Sequence, residues 1–142
     1  MKLTRVLLIA GLGLLSSCAP SEAPQVELPS DAGKFAKYTF SSQATKVRDA
    51  VFTALGHNTG NFSLNGKSKD GSVLSTFWVG VAGQPVRVYF QFLSVPDSTV
   101  VEVLTVPNPP PTTGSLVKSL IALGDETKVI LNIKTYTLSA DK

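Results

Sequence analysis

The chain has 142 residues, with 13 lysines and arginines against 10 aspartates and glutamates, and a formal net charge of +3. This length suffices for one folded domain and a tether, but it is too short for two domains. Lys67 and Lys69 form the only local basic pair. The small charge excess therefore argues against a nucleic-acid-binding protein, which would need clustered cations. We interpret the pair as the solvated tip of a hairpin.

The first residues have the pattern of an export signal. Lys2 and Arg5 precede an apolar stretch that runs from Val6 to Leu15. This stretch is too short to cross a bilayer core, which takes roughly 20 residues in a helix. A basic start followed by a short apolar core is typical of a secretory signal peptide. We therefore predict that residues 1–17 are removed and take no part in the mature fold.

The residues that follow are more specific: Leu15-Ser16-Ser17-Cys18 resembles the lipobox of bacterial lipoproteins. In that family the small residues fit the signal peptidase, and the cysteine accepts diacylglycerol and becomes the first residue after cleavage. The resemblance implies a membrane-anchored protein of the cell envelope, with Cys18 as its lipidation site. Because Ala19 and not Asp follows the cysteine, it also implies the periplasmic side of the outer membrane if the organism has two membranes. The alternatives are a plain signal peptide and an N-terminal helix packed in a cytoplasmic core.

Cleavage before Cys18 would shorten the chain and lower its net positive charge. It leaves 142 − 17 = 125 residues and 13 − 2 = 11 basic side chains against 10 acidic ones. Cys18 is the only cysteine, so a disulfide within one molecule is impossible, and a lipid on its sulfur removes the only thiol. Residues 18–33 contain three prolines and few large apolar side chains, which predicts a tether ahead of a single domain at 34–142.

The domain begins with a predicted strand at 35–40 and a helix that ends at Gly56. One face of that helix carries apolar residues at helical spacing: Val47, Ala50, Val51, Ala54 and Leu55. Asp70-Gly71 then predicts a type I′ hairpin turn in which Lys69 pairs with Ser72. That register places Leu64 opposite Phe77 and Phe62 opposite Val79.

Two further strands are predicted at 86–94 and 99–106, followed by a proline-rich connector at 107–111. A second helix follows, on the spacing of Leu116, Val117, Leu120, Ile121 and Leu123. The last stretch, Val129 to Leu138, fits either a helix or a strand, and we favour a helix. The predicted fold is α+β, an antiparallel β-sheet packed against two helices in the outline order β-α-β-β-β-α. In element order it resembles the helix-grip modules of outer-membrane assembly lipoproteins.

The sequence offers little for catalysis. No Gly-x-Ser-x-Gly, His-Glu-x-x-His or Cys-x-x-Cys motif occurs. We interpret His57, the single histidine, as a polar helix end and not as a base or metal ligand, and Asp125 and Glu126 as acids in a helix's first turn. We therefore predict no enzyme, no cofactor and no metal site.

The sheet face turned away from the helices is the predicted partner-binding surface. Alternation along the strands assigns these residues to it: Leu74, Trp78, Tyr89, Leu93, Leu104 and, at the fringe, Arg87. Exposed apolar patches of this kind often mark interaction sites. The alternatives are that the tether, the connector or the chain end covers this face, or that the predicted facing of the strands is wrong.

These observations predict a non-enzymatic binding or structural lipoprotein with a possible envelope protein partner. A carrier with an apolar cavity between helices and sheet is the alternative, and a hydrolase is a third hypothesis.

Overall fold

The computed structural model describes residues 25–79 and 85–140, so the predicted signal peptide and Cys18 lie outside the described residues. Six strands form one antiparallel sheet in the spatial order β2-β3-β4-β5-β1-β6. The strands are β1 (Gly33–Phe40), β2 (Phe62–Lys67), β3 (Val73–Val79), β4 (Pro85–Val95), β5 (Ser98–Val106) and β6 (Tyr136–Ala140). The helices are α1 (Ala44–Gly56) and α2 (Thr113–Leu131), with a 3-10 turn at Thr59–Asn61.

The predicted class, an antiparallel sheet packed against two helices, is confirmed. The outline order counted one strand too few between the helices, since β2, β3, β4 and β5 follow one another there. It also omitted β6. The helix favoured for Val129 to Leu138 continues only to Leu131, and Tyr136 to Leu138 belong to a strand. Asn132 adopts a left-handed conformation that ends α2, and β6 then pairs with β1, placing Tyr136 opposite Phe40.

Both helices pack on one face of the sheet, which we call the inner face. The predicted apolar stripe of α1 is buried there, and α2 contributes Leu116, Leu120 and Leu123. The strands contribute the large aromatic side chains of this core: Phe35, Tyr38, Phe40, Phe62, Trp78, Phe90 and Phe92. A register shift in β1 between Lys34 and Ala36 lets two consecutive residues, Phe35 and Ala36, enter the core.

The β2–β3 hairpin has the predicted register only beside its turn. Lys67 lies opposite Leu74, and the Ser68 N–H donates to the Val73 carbonyl, as that register requires. A shift between Leu64 and Gly66 then moves the rest of β2 by one residue. Leu64 therefore lies opposite Thr76 and Phe62 opposite Trp78, so the predicted pairs with Phe77 and Val79 are wrong.

The turn itself differs from type I′ because only Gly71 of the central pair has a positive φ, of 76°. The Asp70 carboxylate accepts hydrogen bonds from the Ser72 N–H at 3.0 Å and from the Ser72 and Ser68 hydroxyls. These bonds, chiefly the one from the Ser72 backbone, lower the pKa of the Asp70 carboxyl to about 2. The turn is therefore closed by a side chain that stays ionised at neutral pH.

Candidate functional site

The sheet face opposite the helices, the outer face, receives only four of the six predicted partner-binding residues. Register places Arg87, Tyr89 and Leu93 of β4 and Leu104 of β5 on it. Leu74 and Trp78 instead belong to the inner core. Their predicted facing is wrong because the shift in β2 makes Trp78, and not Val79, the cross-strand neighbour of buried Phe62.

Trp78 is the largest of the residues that join the sheet to α2. Only 2% of its surface is exposed, and its indole N–H donates to the Ser119 hydroxyl over 2.8 Å. A buried indole needs such an acceptor, and Ser119 supplies it from the helix side. Trp78 is therefore a core residue with no surface to offer a partner.

The centre of the outer face is covered by the chain's own N-terminal residues. Val73, Tyr89 and Leu104 form a second buried cluster there. Val26, Leu28, Ala32 and Val106 pack against it. The Val26 N–H also donates to the Lys67 carbonyl at 3.2 Å, so this segment reaches the edge of the sheet at β2. The sequence left open that the tether covers this face. Tyr89 and Leu104 are indeed covered by the segment before β1.

What stays exposed on the outer face lies around this cover. Leu93 is 38% exposed, as is Val95 further along β4. Arg87 lies over the Phe77 ring, 5.6 Å from its centroid, which is cation–π geometry. On the neighbouring strands β1 and β5, Lys34 forms an ion pair with Glu102 at 3.2 Å. The outer face is therefore divided into small areas, of which Leu93 and Arg87 are the accessible predicted residues.

An open cavity of about 430 Å³ lies at the β1 end of the inner layer. Phe35 and Val117 form part of its apolar wall, between sheet and α2. The remaining lining comes from Lys34, Asn108, Pro109, Thr113, Gly114 and Ala140. Its size is within the usual range for small-ligand pockets.

His57 has a partner that the sequence did not reveal. Its Nδ1 lies 2.5 Å from Oε2 of Glu126, and the Thr59 hydroxyl donates to the other carboxylate oxygen. The Thr59 bond and then the His57 bond lower the pKa of the Glu126 carboxyl. The cluster therefore connects the end of α1 and the turn after it to α2.

Asp125 also has a structural contact. It accepts a hydrogen bond from the Tyr136 hydroxyl at 2.8 Å, which joins α2 to β6. Burial and this bond raise the pKa of the Tyr136 phenol. Asp125 and Glu126 lie in the middle of α2 (Thr113–Leu131), so interpreting them as first-turn acids was wrong.

Across 25–79 and 85–140, no group of three or more His, Cys, Asp or Glu side chains is arranged to hold a metal ion. Neither helix within these ranges is long and apolar enough to cross a membrane. No protein-family model matches the chain, and no curated protein is significantly similar to it.

Proposed function

We propose that this chain is a lipoprotein of the cell envelope, anchored through lipid on Cys18, whose domain is a non-enzymatic binding or structural module. The observation that carries the proposal is the sequence Leu15-Ser16-Ser17-Cys18 after a short apolar stretch and a basic start. The domain supports the second part, because its titratable clusters, His57 with Glu126 and Asp125 with Tyr136, hold elements together.

Mass spectrometry tests the anchor. The precursor would be expressed in a bacterium, the membrane fraction purified, and intact masses taken for the wild type and for Cys18→Ser. We expect a wild-type mass of residues 18–142 plus at least diacylglycerol, absent from the variant. An unmodified wild-type chain would refute the anchor.

Photo-crosslinking from position 93 tests whether a partner binds at the outer face. A photo-crosslinking amino acid at Leu93 would be compared with the same group at Val129, an exposed residue of α2 on the other side of the sheet. We expect a discrete adduct from position 93 that position 129 does not give. Identical products from both positions would speak against a partner at this face.

The cavity beside Phe35 and Val117 supports a second candidate function, a carrier of a small apolar ligand. Val117 is half-buried at its wall, so Val117→Trp would fill the space. A carrier is expected to bind a fluorescent fatty acid and to lose that binding in the variant, with Ile121→Trp, on the exposed side of the same helix, as control. Equal binding of the fatty acid by both variants would exclude this cavity as its binding site.

A further inference from the structure

The packed N-terminal segment determines where the chain leaves the domain. Because Val26 bonds to Lys67 and packs on the outer face, the stretch that links it to Cys18 starts beside β2. Seven residues, Cys18 to Pro24, separate that point from the predicted lipid. Fully extended they reach about 25 Å, and as a flexible chain about 15 Å. A lipid on Cys18 would therefore hold the β2 edge close to the bilayer.

The surface next to this exit is basic and includes an exposed aromatic ring. Arg48 and Phe52 of α1 and Lys67 and Lys69 of the hairpin line one groove of about 280 Å³, and we call these four residues the basic edge patch. Phe52 is 45% exposed. The shallow groove runs between helix and hairpin, at the same edge of the sheet as the exit.

The cations outweigh the acids in this groove. Asp49 and Asp70 also line it, leaving a formal charge of 3 − 2 = +1. Asp49 lies 3.7 Å from Arg48, and Asp70 is engaged by Ser68 and Ser72 of its own turn. Among the described residues, neither Lys67 nor Lys69 lies within ion-pairing distance of a carboxylate. Both amines are therefore available to an external anion.

We infer that the basic edge patch docks on the anionic headgroups of the leaflet that holds the protein's own lipid anchor. Lysines and arginines beside an anionic leaflet are attracted to its negative surface potential, and an exposed Phe inserts at the headgroup boundary. Because only seven residues separate the packed segment from Cys18, the patch stays within reach of that surface, which disfavours a distant partner. The inference rests on the proposed anchoring at Cys18.

Energy transfer in the lipidated full-length protein tests this orientation. The protein would be reconstituted in vesicles containing phosphatidylglycerol and a headgroup-labelled acceptor lipid. A donor would be attached at Ser63→Cys on β2 or at Ser139→Cys on β6, since lipid blocks the sulfur of Cys18. Both serines are exposed on opposite edge strands, five strand spacings or about 24 Å apart. We expect markedly more transfer from position 63.

Charge removal then tests the patch itself in the Ser63→Cys background. Lys67→Gln with Lys69→Gln is expected to lower the ratio of docked to undocked donor populations, resolved by fluorescence lifetime, about 30-fold. Lys118→Gln with Lys134→Gln removes the same charge from exposed positions on α2 and beyond its end, and should leave the ratio unchanged. The same loss is expected for the wild-type patch on purely phosphatidylcholine vesicles.

The outcomes separate the two proposals. Equal transfer from positions 63 and 139 in an acylated, vesicle-bound protein would overturn the docking inference and leave the anchor intact. Equal effects of the two lysine pairs would also overturn it. A chain without the acyl mass would overturn the anchor and, with it, the docking inference.

Discussion

Trp78 anchors the sheet to α2 through its volume and through its bond to Ser119. Trp78→Ala is expected to lower the free energy of unfolding by about 3–5 kcal/mol, because it leaves a large cavity. Trp78→Phe removes the hydrogen bond and less volume, and is expected to cost about 1–2 kcal/mol. Urea denaturation followed by circular dichroism measures both, since the chain's single tryptophan is the residue removed.

Leu93→Ala is the control for that series, because Leu93 lies on the outer face and is well exposed. We expect a change within about 0.5 kcal/mol. A larger loss at Leu93 than at Trp78 would contradict the assignment of inner and outer faces.

Glu126 is expected to make stability depend on pH. Its pKa is lower in the folded protein than in the unfolded chain, so the unfolded chain binds a proton more readily as pH falls. The contribution, about 1 kcal/mol or less for a partly exposed pair, is therefore present above pH of about 4.5 and lost below it. Urea midpoints measured between neutral and acidic pH should fall less steeply for Glu126→Gln than for the wild type. Exposed Glu27→Gln is the control, and the expectation fails if both variants have the same slope.

Two glycines of α2 have opposite surroundings, although a helix ordinarily prefers Ala to Gly at either position. A Cβ on Gly124 would lie 2.6 Å from the Tyr136 ring, which stacks on Phe40, whereas a Cβ on Gly114 would meet open space. We expect Gly114→Ala to raise the free energy of unfolding by about 0.5–1 kcal/mol. Gly124→Ala should lower it by about 1–3 kcal/mol, because the ring must move.

Thermal or urea denaturation of both glycine variants measures the difference. Stabilisation by both substitutions would show that β6 does not pack closely against α2. The opposite effects come from a contact between two elements, α2 and β6. Within α2 alone, both substitutions replace a helical Gly by Ala.

The N-terminal segment joins the start of the domain to the outer face and to the far edge of the sheet. Replacing Val26 and Leu28 by Ser should expose part of the cluster around Tyr89 and lower the free energy of unfolding by about 1–3 kcal/mol. We also expect faster cleavage of residues 25–32 by protease and faster amide exchange in β2. Gln25→Ser, at an exposed position, should change neither. Unchanged protection in the double variant would contradict the packing of this segment.

Local patterns determined much of this protein. The helical stripe of α1, the α+β class and most strand positions follow from period-two and period-3.6 apolar spacing, which reflects contacts within an element. The lipobox-like sequence Leu15-Ser16-Ser17-Cys18 is likewise continuous in the chain, and its role remains a prediction.

Only the tertiary structure decided the rest. A one-residue shift in β2 moved Leu74 and Trp78 to the core, because facing in a sheet alternates and a single extra residue reverses it. The pairing of His57 with Glu126 and the burial of Tyr89 and Leu104 under Val26 and Leu28 join residues far apart in the chain. No local pattern encodes such contacts, since they exist only once the sheet has brought its neighbours together.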